Sequence, residues 1–221
     1  RKEILVSQIK FYAPDIFGIQ EGLPHQVNYI NEQLAKYSFV GESRDGGNMG
    51  EYSALYFNKD KMLLVQSETF WLSETPNEVS KGWDAAFPRV CTFGLFKNKA
   101  SGDQFWVFNT HLDHIGDIAR KKGLELILKK IEILNADKLP VILMGDFNMQ
   151  ENHENIQYIS KYLKDSKSVS ELGPFGPSGT FNGFNFNQPV TERIDFIFVS
   201  PEIKVEKYAV LSDSEDCRYP S

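Results

Sequence analysis

The 221-residue chain is poor in the residues that several function classes require. Its only cysteines, Cys91 and Cys217, cannot make a disulfide framework, and Cys91 sits in a strand-like run as a core filler. Four histidines are few for a tight zinc centre, which needs several well-placed His or Cys ligands. No apolar run is long enough to cross a bilayer, and no leader-like segment opens the chain. That leaves export and retention equally open. Basic residues are outnumbered, 24 Lys and Arg against 30 Asp and Glu, giving a net charge of −6 and a pI near 5.3. Bulk electrostatic attraction to duplex nucleic acid is therefore disfavoured, whereas a small phosphoester bound through a metal is not.

What is present suits one packed domain over residues 1–221, expected to be a monomer. Hydrophobic residues make up 41% and aromatic ones 13%, with seventeen Phe and nine Tyr, which fits an enzyme rich in sheet. Leu5, Ile9 and Tyr12 share a helical face that Pro14 ends, and Val27, Ile30 and Leu34 mark a second helix from Pro24. Leu124, Ile127, Leu128, Ile131 and Leu134 define a long amphipathic helix, and Ile156, Ile159 and Leu163 another. Strands are predicted over 15–19, 53–57, 62–69, 90–96, 105–108, 141–144, 192–199 and 205–211. Residues 58–61 and 97–103 read as hairpin turns, and 173–188 as a long Gly- and Asn-rich loop. Helices among hairpins predict an α/β fold with mixed sheets.

The strand Val141-Ile142-Leu143-Met144 stops at Gly145-Asp146-Phe147-Asn148. Strand alternation points Asp146 and Asn148 the same way, a carboxylate beside a carboxamide. Such a pair can accept a proton or bind a cation while fixing a nucleophile, although Gly-Asp-x-Asn also describes an ordinary turn. Other predicted strands run out at Gln20-Glu21 and at Asn109-Thr110-His111-Leu112-Asp113-His114, and Asp195 lies opposite Ile194, Phe196 and Phe198 on a fourth. Ligands of open α/β sheets bind at strand carboxyl ends, so these groups can converge.

In order and rough spacing, Gln20-Glu21, Asn109-Thr110-His111-Leu112, Gly145-Asp146-Phe147-Asn148 and Arg193-Ile194-Asp195-Phe196 resemble the endonuclease/exonuclease/phosphatase (DNase I-like) superfamily. Residues 70–76 and 82–89 look like a bacterial branch of it. The resemblance implies a four-layer αββα sandwich of two mixed sheets flanked by helices, and a phosphodiesterase or phosphomonoesterase dependent on Mg²⁺ or Mn²⁺. Substrates across the superfamily include nucleic acid, nucleotides, lipid headgroups and inositol phosphates. It also implies roles. Glu21 holds the metal. Asp146 orients or deprotonates the attacking water, Asn148 holds the phosphate or that water, and His111 donates to a phosphoryl oxygen. Asp195 matches an acid that pairs with the histidine of a C-terminal Ser-Asp-His, and Glu51 is the candidate for an acid bracing the histidine. Arg89, His114 and Tyr52 are candidates for substrate binding, Arg89 as a bidentate phosphate clamp. Members usually carry an Asn on a first strand and that Ser-Asp-His near the end. Their absence implies a chain clipped at both ends, whose activity the sequence leaves open.

Two other readings compete. His111-x-Asp113-His114 resembles part of the metallo-β-lactamase zinc pattern, but Asn109 stands where the first His would be. A non-catalytic phosphate-ligand binding module would need no such full set as Glu21, His111, Asp146, Asn148 and Asp195. Trp71, Trp83 and Phe87 could stack on a base or sugar, or simply pack in the core.

Overall fold

A computed structural model describes residues 1–216 and 218–220; Cys217 and Ser221 lie outside the described residues. In chain order the elements are α1 (Lys2–Tyr12), β1 (Ile16–Gly18), α2 (Pro24–Gln33), β2 (Tyr37–Val40), β3 (Leu55–Asn58), β4 (Met62–Trp71) and β5 (Val90–Asn98). They continue with β6 (Gln104–His111), α3 (Asp117–Leu134), β7 (Val141–Asp146), α4 (Glu154–Ile159), β8 (Lys164–Asp165), α5 (Ser166–Val169) and β9 (Asp195–Val199). The order β1-β3-β2 forms an antiparallel sheet, and β4-β5-β6-β7-β9-β8 a mixed one in which β6 and β7 run parallel.

Period-two alternation sends neighbouring side chains of each strand into different cores. Ala54, just before β3, and Tyr56 on it face outward against Val6, Ile9, Val27 and Ile30 of α1 and α2. Leu55 and Phe57 face the other sheet, meeting Phe96, Val107, Ile142 and Met144. From the large sheet, Phe93, Trp106, Phe108, Val141, Leu143, Phe196 and Phe198 pack outward on Leu124 and Ile127 of α3. Three apolar layers between four structural layers make this an αββα sandwich. Each fully buried Leu, Ile or Phe contributes about 1.5–3 kcal/mol.

Local chemistry sets the element ends. Ala13, in the left-handed region at φ 46°, caps α1 by donating to Ile9 O, and Pro14 follows. Pro24 opens α2, where Gln26 Oε1 accepts from Leu23 N–H at 2.9 Å. The first turn of α3 is capped from far away, since Asp84 accepts from Ala119 N–H at 2.7 Å and Ile118 N–H at 3.3 Å.

Several expectations are corrected. Residues 58–61 do make a tight turn, with Asn58 Oδ1 accepting from Asp60 N–H, but β3 and β4 belong to different sheets, so it is a crossover and not a hairpin. No strand forms over 205–211. That segment runs beside 171–176 and keeps one bridge, Phe175 to Ala209, because Pro174 has no N–H and Gly176 turns away at φ 96°. Leu163 falls beyond the end of α4. Elements β2, β8 and α5 were not anticipated; the latter two are too short to show a period.

The alternation that fills the inter-sheet layer with Phe105, Val107, Ile142 and Met144 continues along β6 and β7. It places Asn109, His111 and Asp146 on that same side at the strand ends. The apolar layer stops there and a polar one begins.

Candidate active site

Asn109 is fully buried and joins the two sheets. Its Nδ2 donates to Ala54 O at 2.9 Å and Ile19 O at 3.1 Å, and its Oδ1 accepts from Gln20 Nε2 at 2.6 Å. The small residue opposite is obligatory, because a Cβ on Gly18 would lie 2.6 Å from Asn109 Oδ1. This link sets Gln20, and hence the following Glu21, over the end of β6. Glu21 itself turns the chain at φ 56°.

Asp146 and Asp195 face each other as the last pair of β7 and β9. Directly opposed carboxylates repel one another. Burial first, then Asp195 and Glu21, push the Asp146 carboxyl up to about 7, against a hydrogen bond from Asn148 N–H at 2.8 Å and the more distant Arg89. Burial also raises Asp195, opposed by Thr180 and Arg193. Asn148 reaches the site through a turn and not by strand alternation. It adopts φ 50°, and its side-chain amide donates to Leu112 O at 2.9 Å and meets His111 Nε2 at 3.0 Å. With both amide hydrogens so engaged, Nε2 of His111 accepts and Nδ1 carries the proton. Burial, aided by Arg89, Arg44 and His114, lowers His111 to about 3, so the ring is neutral. Asp146 Oδ2 is 3.6 Å from His111 Nε2, beyond hydrogen-bond reach.

Glu21, Glu51 and His111 each offer a ligand atom within 4.8 Å of the others. Nε2 of His111 is taken by Asn148, which leaves two carboxylates, the ligand type a hard divalent cation prefers. The mutual repulsion that raises Asp146 is also what a nearby cation would relieve. The donor set therefore fits Mg²⁺ or Mn²⁺ better than zinc.

Facing these acids are two arginines. Arg44 Nη1 donates to Glu51 at 2.5 Å, and its guanidinium lies 4.9 Å from the Phe87 ring centre. Arg89 donates through Nε to Asp113 at 3.3 Å and meets His114 Nδ1 at 3.0 Å through Nη2. Asp113 is buried and accepts also from Ala86, Phe87, Ile115 and Gly116 N–H groups. Burial works against its charge, but those donors and Arg89 outweigh it and hold the carboxyl well below the usual carboxylate range. Glu21, Arg44, Glu51, Arg89, His111, Asp146, Asn148 and Asp195 line a cleft of about 470 Å³, with Phe87, Phe181 and Phe184 at its rim.

Residues 1–216 match the model of the endonuclease/exonuclease/phosphatase family. The chain belongs to that family. Among solved structures it is similar to a mannosyl-6-phosphatase from Bacteroides thetaiotaomicron, at 41% identity and a TM-score of 0.92 over 96% of this chain and 81% of that one. A conserved protein from Enterococcus faecalis is similar at 36% identity and a TM-score of 0.93, covering 100% and 86% of the two chains. Among curated proteins, human Nocturnin is 23% identical over 78% of this chain, which spans 41% of that protein. A mimivirus protein, L388, is 28% identical over 68% of this chain and 59% of its own length. The chain thus spans less than two thirds of these curated relatives.

Of the residues the family resemblance suggested, Glu21, Glu51, Arg89, His111, His114, Asp146, Asn148 and Asp195 come together in the one cleft. Tyr52 borders only the narrow recess beside Glu21; its ring packs on Phe39 and its hydroxyl donates to Gly47 O at 3.4 Å. The zinc pattern is not assembled, because Asp113 is spent on its N–H donors and His114 on Arg89. Arg193, flagged as a neighbour of Asp195, instead grips Asp165 bidentately at 2.6 and 2.7 Å. Two site residues carry no motif in the sequence: Arg44, and Thr180, whose Oγ1 lies 3.2 Å from the Ile194 and Asp195 N–H groups. The long loop around Phe181 and Phe184 was the available signal for Thr180.

Proposed function

We propose that this chain hydrolyses a phosphoester, with Mg²⁺ or Mn²⁺ held by Glu21 and assisted by Glu51. The observation that carries the reading is the convergence of five polar side chains from four strand ends, opposite two arginines, in one cleft. A bound divalent cation would supply charge neutralisation at the phosphate and the leaving oxygen. Asp146, held near neutrality, is suited to take a proton from water. Asn148 has both amide hydrogens engaged, so its free Oδ1 is suited to accept from that water and not to hold a phosphate oxygen. His111, neutral and protonated at Nδ1, is a donor without charge for a phosphoryl oxygen. Asp195 keeps the negative field that raises Asp146.

The substrate we favour is a sugar phosphomonoester. Likeness to the mannosyl-6-phosphatase supports it, as does the exposed Phe184 at the edge of the cleft, whose flat face suits a sugar ring. The test is Mg²⁺-dependent release from mannose 6-phosphate, an aryl phosphate and a bis-aryl phosphate, with Asp146→Asn as control. Loss of about 10²–10⁴ in kcat in the control supports the assignment. Cation binding with no turnover of any ester would favour the binding-module reading instead.

A further inference from the structure

We propose that Arg44, acting with Arg89, selects the phosphomonoester dianion over a diester; this rests on the phosphoesterase reading above. Arg44 lies in the loop between β2 and β3, yet its side chain is only 14% exposed and Arg89's only 6%. Both are held in place. The Arg44 backbone is pinned by its N–H donating to Glu51 O at 2.9 Å and by Trp71 Nε1 donating to its carbonyl at 2.7 Å. Its guanidinium rests on Phe87 and Glu51, while Arg89 rests on Asp113 and His114.

Both guanidinium groups are anchored by carboxylates, Arg44 by Glu51 and Asp45 and Arg89 by Asp113, and both residues line the cleft. The Nε of Arg44 is buried and makes no hydrogen bond among the described residues, with the Asp45 carboxylate 3.8 Å away. Among the described residues no lysine lines the cleft, and Arg44 and Arg89 are its arginines.

A phosphomonoester above its second pKa, about 6, carries nearly two charges on three terminal oxygens. A diester carries one charge on two oxygens, because its third is esterified. One planar fork satisfies either anion through paired N–H bonds. The second fork gains only when the second charge is there. For a diester, the additional ester group would desolvate Arg44 without pairing it, a penalty that discriminates against it.

The experiment uses the full chain in Mg²⁺ at a pH of about 8, where monoesters are dianions. The first readout is kcat/KM for an aryl phosphate and for a bis-aryl phosphate. Arg44→Gln should reduce the monoester value by about 100-fold and leave the diester value within a few-fold. Arg44→Lys keeps charge without the fork and should recover part of the loss. Equal losses on both esters, or none on either, would overturn the proposal. The second readout is calorimetric binding of inorganic phosphate and of dimethyl phosphate to the unsubstituted protein. It needs neither turnover nor a well-folded variant. Phosphate should bind at least about tenfold more tightly, and equal affinities would overturn the proposal. Discrimination between the two anions with no hydrolysis of any ester would keep the selectivity and reject the phosphoesterase reading.

Discussion

Asp146→Asn removes one charge from the group formed with Asp195 and Glu21, and it keeps an oxygen for the Asn148 N–H now bound at 2.8 Å. A carboxyl held at about 7 in the fold takes up its proton more tightly there than in the unfolded chain, where its ordinary value is 3.8. Ionising it therefore costs the fold nothing near pH 4, progressively more as pH rises, and the full amount above about pH 7. At about 1.36 kcal/mol per pH unit, that amount is about 4 kcal/mol. The side chain is 18% exposed, so relaxation and water take a share. The metal-free variant should then be about 2–4 kcal/mol more stable than the parent at pH about 8, and equal to it at pH about 4. For a domain of this size the gain corresponds to roughly 4–12 °C in Tm. Thermal unfolding followed by circular dichroism in a chelator, at both pH values, measures it. Millimolar Mg²⁺ should narrow the gap, because a cation that binds the folded parent stabilises it. A variant that melts with the parent at pH 8, or below it at both pH values, would refute the account of strain at this site.

The other predictions concern the frame and the cation. Glu21→Gln should weaken Mg²⁺ affinity at least about tenfold by calorimetry with little change in melting; unchanged affinity removes Glu21 from the cation site. Asp113→Ala strands Arg89 and four N–H groups in a buried setting and should cost about 3–5 kcal/mol in urea unfolding, whereas a loss under about 1 kcal/mol would show that Asp113 is dispensable. The depressed carboxyl of Asp113 contributes stability that is complete above the ordinary carboxylate range and lost as pH falls from that range down through its own lower value, opposite in sense to Asp146. Acid titration of Asp113→Ala should therefore lack part of the parent's low-pH destabilisation. Gly145→Ala places a Cβ at the Thr110 carbonyl from a φ of 144°, so the full chain should fail to accumulate folded or melt many degrees lower.

Much of this arrangement was legible from residues alone, for identifiable reasons. Strand ends carry strong local marks, and Asp146, Asn148, His111 and Asp195 were all found at them. For Asn148 the logic was different: Gly-Asp-x-Asn does form a turn, and that turn is what delivers the amide to His111. Arg44 escaped because a cation in a loop has no period, and only the tertiary placement of Phe87 and Glu51 buries it. The 58–61 turn misled because a tight turn fixes chain reversal but not sheet membership. The segment 205–211 misled because its partner donates from Glu171, Leu172 and Phe175 but is interrupted at Pro174 and Gly176, so no continuous ladder forms.

The amides of Asn109 and Gln20, which fasten one sheet to the other, have a consequence for how this site responds to its surroundings. Neither group gains or loses a proton at any ordinary pH, and neither bond depends on charges that salt could screen. The frame is thus deaf to acidity and ionic strength, while the groups it holds listen closely to both. Any bend in a rate profile between pH 5 and 9 would then report the groups in the cleft or the second ionisation of a phosphomonoester, and not a shifting of the sheets that present the site.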